Sequence, residues 1–176
     1  MKILQCLLIV SFLFVSCDKD DDSNDNQDNN IPNLEGTDFK ATIDGGDFSD
    51  YDFNLGAYTI TTVSSNSTMS IDVGDLNGEQ ITLFLNATGG FDSGTVKQMN
   101  NVDADNYRTY GLFRQSSPQM SYYSSEGSVT ITENKVHPTE SGVRLISGNF
   151  DISAATIDDT SNIEMTGAFS ELEYTE

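Results

Sequence analysis

Met69-Ser70-Ile71-Asp72-Val73-Gly74-Asp75-Leu76-Asn77-Gly78-Glu79-Gln80-Ile81-Thr82-Leu83-Phe84-Leu85 decides the fold class. Met69, Ile71 and Val73 alternate with small or polar residues, and Ile81, Leu83 and Leu85 repeat the pattern. A period of two sends alternate side chains to one face of an extended strand. Between the runs stands Asn77-Gly78, a pair suited to a tight hairpin turn because both residues tolerate a positive φ. The stretch therefore predicts two antiparallel strands that share one buried face.

The same alternation recurs on both sides. Phe39, Ala41 and Ile43 show it, as do Tyr58, Ile60 and Thr62. Later come Tyr107, Thr109 and Gly111, then Val129 and Ile131, then Phe150, Ile152 and Ala154, and last Ile163, Met165, Gly167 and Phe169. Asp44-Gly45-Gly46, Gly89-Gly90, Glu126-Gly127 and the pair His137-Pro138 with Ser141-Gly142 read as turns between them. No stretch keeps a helical period; Asp92 to Asp105 is the least regular and has room for one short helical turn. Residues 36–176 are thus expected to form one all-β domain, a single antiparallel sandwich or partly closed barrel of about 8–10 strands.

The first residues read differently. Lys2 is followed by an apolar run from Ile3 to Val15, broken only by Gln5 and Ser11. That length suits a secretory signal core and falls short of the ~20 residues of a bilayer span. Phe14-Val15-Ser16-Cys17 resembles the lipobox of bacterial lipoproteins, with Phe14 where leucine is usual. The resemblance implies removal of residues 1–16 and attachment of diacylglycerol and acyl chains such as palmitate to Cys17. Cys6 lies in the removed segment, so the mature chain would keep one cysteine and no intramolecular disulfide. Two or three acyl chains hold a protein on a membrane stably, where a single chain does not.

Asp18 to Asn30 holds six aspartates, one lysine and no apolar residue. Nothing in it offsets the entropy of ordering, so 17–35 is expected to be a disordered tether behind the lipidated cysteine. Lys19-Asp20-Asp21-Asp22 resembles the export signal of surface-exposed lipoproteins of the Bacteroidetes. That resemblance implies an outer-membrane protein facing the cell exterior. The alternative is a periplasm-facing protein, since in enterobacteria an aspartate after the cysteine, here Asp18, favours retention.

Gly127-Ser128-Val129-Thr130-Ile131-Thr132, Ile146-Ser147-Gly148-Asn149-Phe150-Asp151-Ile152 and Met165-Thr166-Gly167-Ala168-Phe169 resemble a family of Bacteroidetes lipoprotein domains of unknown function. Phe39 to Gly45 followed by Phe48 fits the same pattern. The family implies an all-β fold on a lipid tether and brings no active site with it.

The formal net charge of −20 and a pI near 4.1 exclude a nucleic-acid partner, which needs a basic stripe. His137 is the only histidine, sits before Pro138 and has no cysteine or glycine-flanked serine to work with. Asp44, Asp47, Asp50 and Asp52, and Asp103 with Asp105, read as solvated turns and not as a glycosidase pair. Asp75 to Glu79 shares part of a calcium loop, but its spacing fails beyond that and a hairpin turn accounts for the same residues. No catalytic residue, metal ligand or cofactor is expected, and the chain is not read as an enzyme.

One cluster suggests recognition. Tyr107, Tyr110, Tyr122 and Tyr123 are four of seven tyrosines, with Phe113, Arg108 and Arg114 among them. Tyrosine and arginine dominate binding hot spots, and flat rings stack on sugars; cross-strand aromatic pairing within a sheet is the competing explanation. By strand parity Tyr107 should share a face with Phe113 and oppose Tyr110. The favoured function is a non-catalytic binding module for a glycan or an envelope protein. A small surface hydrolase, or a carrier of an apolar ligand in a barrel cavity, are the alternatives.

Overall fold

The computed structural model describes residues 32–64 and 67–175. The signal segment, Cys17, Lys19 and Asp20 to Asp22 lie outside the described residues; 32–35 carry no regular secondary structure. Ten strands follow: β1 (Asp38–Gly45), β2 (Phe48–Asn54), β3 (Ala57–Val63), β4 (Thr68–Gly74), β5 (Gln80–Leu85), β6 (Val96–Gln98), β7 (Tyr110–Gln115), β8 (Met120–Val136), β9 (Val143–Ala155) and β10 (Asn162–Thr175).

They make one antiparallel sheet in the order β2-β1-β10-β9-β8-β7-β5-β4-β3, with β6 paired to β8. The sheet is curled into a half-barrel. The strand pairs expected from Met69 to Leu85 are present, with Ile71 opposite Leu83 and Val73 opposite Ile81. Gly78 takes a φ of 92° in the turn between them.

Three long strands do the bending. β8 pairs with β7 over Met120 to Tyr123, then with β6 over Ser128 to Thr130. Its register against β9 shifts at Ser124/Glu126 and at Ile131/Glu133, and β10 shifts at Phe169/Leu172. Such bulges sharpen the local twist and let a sheet curl. Glu126-Gly127, expected as a turn, is instead interior to β8: Gly127 has a φ of 106°, and a Cβ there would stand 2.1 Å from the Asp151 carbonyl oxygen. Asp50 and Asp52, expected in a turn, lie on β2. The segment Asp92 to Asp105 holds β6 and no helical turn.

The concave face carries the core. The Phe39 ring packs against Phe53, Phe150 and Phe169 at centroid distances of 5.7, 5.5 and 6.4 Å. Phe113 meets Phe48 at 5.3 Å and Tyr122 at 6.0 Å. Each buried side chain of this size contributes about 1.5–3 kcal/mol. Two glycines make room for two of these rings. Gly148 stands opposite Phe169, and Gly167 stands opposite Phe150, on adjacent strands. A Cβ on either glycine would lie 2.5 Å from the facing Phe Cζ. Ile71, Leu83, Ile131, Ile152 and Met165 belong to the same buried cluster.

Candidate binding face

Thr109, Gly111, Phe113 and Gln115 are buried, so the intervening residues of β7 and the segment before it point outward. Read in order, the outward set is Arg108, Tyr110, Leu112 and Arg114. At about 3.4 Å per residue this set runs some 20 Å along the sheet. Phe84 of β5 stands opposite Tyr110, and their rings stack at 5.2 Å with an angle of 13°. Tyr123 of β8 stands opposite Leu112 and is 51% exposed. Leu112 is buried on this face, outside the core cluster.

Tyr107 joins the same surface. It is exposed, and its ring lies 6.4 Å from Phe84. Strand parity placed it with Phe113, but the strand does not extend that far. Asn106 has a φ of 65°, and Asp103 accepts the Tyr107 N–H at 2.9 Å, so a loop sets the direction of Tyr107. Tyr122 is a correction. Its ring is 0% exposed and packs in the core, because Tyr122 pairs with inward Phe113 while Tyr123 pairs with outward Leu112. Tyr107, Tyr110 and Tyr123 are accessible; Tyr122 is not. Phe84 escaped the sequence reading, although its position between inward Leu83 and Leu85 was the signal for it.

The charge on this face differs from the rest of the sheet. Ion pairs among the described residues involve Lys40, Lys135 and His137, and neither Arg108 nor Arg114 takes part. The cross-strand neighbours of Arg114 are uncharged Gln80 and Ser121, and Arg108 bridges to Val102. Around this face, β4 turns Asp72 outward on one side, and β8, β9, β10 and β1 turn Glu126, Asp151, Glu164 and Asp44 outward on the other.

The acids at the turns are structural. Asp75 Oδ1 accepts the N–H groups of Asn77 and Glu79 at 2.8 and 2.9 Å, and Oδ2 accepts the Tyr51 hydroxyl. Asp75 to Glu79 is a hairpin turn with its oxygens engaged, which leaves little for a calcium ion. Burial, and then the bond to Asp75, push the Tyr51 phenol up to about 12. Glu79 is buried and accepts the Ser116 N–H and hydroxyl, each at 2.8 Å. Among the described residues no group of three or more His, Cys, Asp or Glu could hold a metal ion. His137 Nδ1 accepts the Glu140 N–H at 3.0 Å within its own turn.

Lys97 is the least expected side chain. It is 2% exposed, donates to the Asn86 and Thr88 carbonyls at 2.8 and 2.7 Å, and lies 4.2 Å from the Phe91 ring centroid. Burial lowers its pKa to about 8, against the pull of Asp103. Asp103 also organises its loop by accepting N–H groups of Ala87, Asp105 and Tyr107. Desolvation raises the pKa of Asp103, but these donors and the Lys97 charge together bring it below the ordinary carboxylate value. The lysine ties the loop after β5 to β6.

Comparison of the chain with protein-family models, with curated proteins and with solved structures found no match.

Proposed function

We propose that this chain is a lipid-anchored, surface-displayed binding module without catalytic activity, and that its ligand is a glycan. The observation that carries the ligand is the outward row of Phe84, Tyr107, Tyr110 and Tyr123 on one side of a rigid sheet. Aromatic rings offer large apolar area with little entropy to lose, and sugar faces rich in C–H groups stack on them. Sites built on strands hold their side chains more firmly than sites on loops. The Phe84–Tyr110 pair contributes to sheet stability as well, as cross-strand aromatic pairs do. Anchoring rests on the apolar run, on the resemblance of Phe14 to Cys17 to a lipobox and on that of Lys19 to Asp22 to a surface-export signal.

Two readings lose ground. A hydrolase needs two free carboxylates at a fixed separation, while Asp75 is engaged by its own turn and Glu79 by Ser116 between β7 and β8. An apolar carrier needs a chamber, while the concave face is occupied by aromatic rings.

The ligand is tested by screening the full chain against polysaccharides, with Tyr110→Ala and Tyr123→Ala beside it. Binding weakened about tenfold or more by either substitution supports the site. Binding unchanged by both overturns it, and capture of an envelope protein without any glycan replaces the ligand class. The address is tested by protease treatment of intact cells. Digestion of the domain supports display on the exterior, protection until lysis means it faces inward, and Cys17→Ser should move the chain to the soluble fraction.

A further inference from the structure

We infer that the glycan is anionic, a polymer bearing carboxylate or sulfate groups, held at both ends of the aromatic row by Arg108 and Arg114. This deepens the glycan reading above and rests on it.

The two arginines occupy the ends of one outward set, Arg108-Tyr110-Leu112-Arg114, with apolar side chains between them. Both are exposed, and neither joins an ion pair with any described residue. In a chain with 28 acidic and 8 basic residues, acids outnumber bases so heavily that an arginine left without one is informative. Its cross-strand neighbours, Gln80 and Ser121 for Arg114 and Val102 for Arg108, supply no charge to satisfy it. A guanidinium presents a planar fork of donors that matches a carboxylate or sulfate with two parallel hydrogen bonds. Two such forks about 20 Å apart, with rings between, fit an extended polymer that carries charge at intervals and stackable sugar faces in between.

The net charge of −20 opposes a polyanion, so distance decides. Fields fall off within about 8 Å at physiological ionic strength. Of the outward acids, Glu164 on β10 and Asp44 on β1 stand three and four strands from β7, Asp72 on β4 and Asp151 on β9 stand two, and Glu126 lies on neighbouring β8. At about 4.8 Å per strand the first two are roughly 14 and 19 Å away, beyond the screening length; of the nearer ones, Asp72 is engaged by the Ser70 and Thr82 hydroxyls at 2.9 and 2.6 Å. Direct contact at the two guanidinium groups is shorter than any of these separations, and the repulsion of the distant acids is screened. Binding should be strongest near physiological salt. Very low salt restores the repulsion, and high salt screens the arginines as well.

The test uses paired polymers that differ only in charge: polygalacturonate against its methyl ester, and dextran sulfate against dextran. The full chain, purified in a non-ionic detergent, is compared with Arg108→Gln/Arg114→Gln and with Tyr110→Ala. Circular dichroism confirms that each variant folds. The expected result is binding to a charged member at least tenfold tighter than to its neutral twin, with that preference removed by the double arginine variant. Equal binding to both members of each pair, lost in Tyr110→Ala and unaffected by the arginine changes, overturns the anionic ligand and leaves the glycan reading standing. Binding to none of the four polymers overturns the anionic ligand; failure of the wider polysaccharide screen as well removes the glycan reading with it.

Discussion

Leu55 and Gly56 are neighbours in the chain, yet their backbone N–H groups bond to strands near opposite ends of the sheet order. Leu55 donates to the Phe39 carbonyl on β1 at 2.9 Å, and Gly56 donates to the Gly74 carbonyl on β4 at 2.9 Å. One peptide bond therefore joins the first and last strands of the sheet order. At 3.8 Å between consecutive Cα atoms, the two edges must meet at this corner. Nearby, β3 reaches β10 through side chains: the Tyr58 hydroxyl accepts the Glu173 N–H at 3.1 Å, and the Thr62 hydroxyl donates to the Thr175 carbonyl at 3.0 Å.

A side chain at Gly56 should strain that corner. Its Cβ would lie 2.9 Å from both the Gly74 carbonyl oxygen and the Asp75 carbonyl carbon, and backbone atoms yield less than side chains. Gly56→Ala should lower stability by about 1–3 kcal/mol. Urea unfolding gives the value, and a midpoint equal to wild type would show that the corner has slack.

Lys97 should make stability rise with pH. In the unfolded chain it holds its proton to about 10.5, and in the fold it loses it near 8. Between these values the unfolded chain binds more protons, so unfolding becomes harder as pH increases. The gain is about 3 kcal/mol across the window. Below pH 8 both states are protonated and the contribution is flat. Tyr51, held up to about 12, acts in the opposite sense above pH 10, where the unfolded phenol ionises first. Urea titrations of wild type and Lys97→Met at pH 7, 8, 9 and 10 isolate the lysine; parallel curves would deny its burial.

The turn at Asp75 separates charge from shape. Asp75→Ala removes the acceptor for the Asn77 and Glu79 N–H groups and for Tyr51. A loss of about 2 kcal/mol is expected. Asp75→Asn keeps one carbonyl oxygen for the turn and should lose less. Both should let the Tyr51 phenolate form at lower pH than in wild type, because Asp75 is one of the groups that holds its proton on. Ultraviolet absorbance of the phenolate, followed through a pH titration, reads this directly.

Adjacent tyrosines should respond in opposite ways. Tyr122 is buried among core rings, so Tyr122→Ala should cost about 3 kcal/mol or more. Tyr123 is half exposed, so Tyr123→Ala should change stability by less than about 1 kcal/mol while weakening ligand. Comparable losses of stability in both variants would place Tyr123 in the core as well.

Period-two alternation located most of the strands because one face is buried and the other wet. It failed where that contrast fades. β2 is an edge strand of mixed burial with acids at Asp50 and Asp52, and β6 is only three residues long around buried Lys97. Gly127 looked like a turn because sequence does not separate a bulge glycine from a turn glycine. The candidate face was half legible. Parity put Tyr110 and Tyr123 on usable positions only once the register Leu112↔Tyr123 was known, and Tyr122 went inward by the same rule. Tyr107 lay beyond parity because a loop, fixed by Asp103, sets its direction.

β1 pairs along its length with β10, Phe39 opposite Phe169. A ribosome delivers β1 first of the ten strands and β10 last. Until β10 emerges, β1 has only its hairpin partner β2, and a two-stranded hairpin is barely stable in water. The sequence separation makes docking of the two strands a slow step. In a chain built in this order one flank of β1 stays unpaired until β10 is free, so the direction of synthesis sets when this side of the sheet closes, while pairs such as β3 with β4 and β8 with β9 join sequence neighbours.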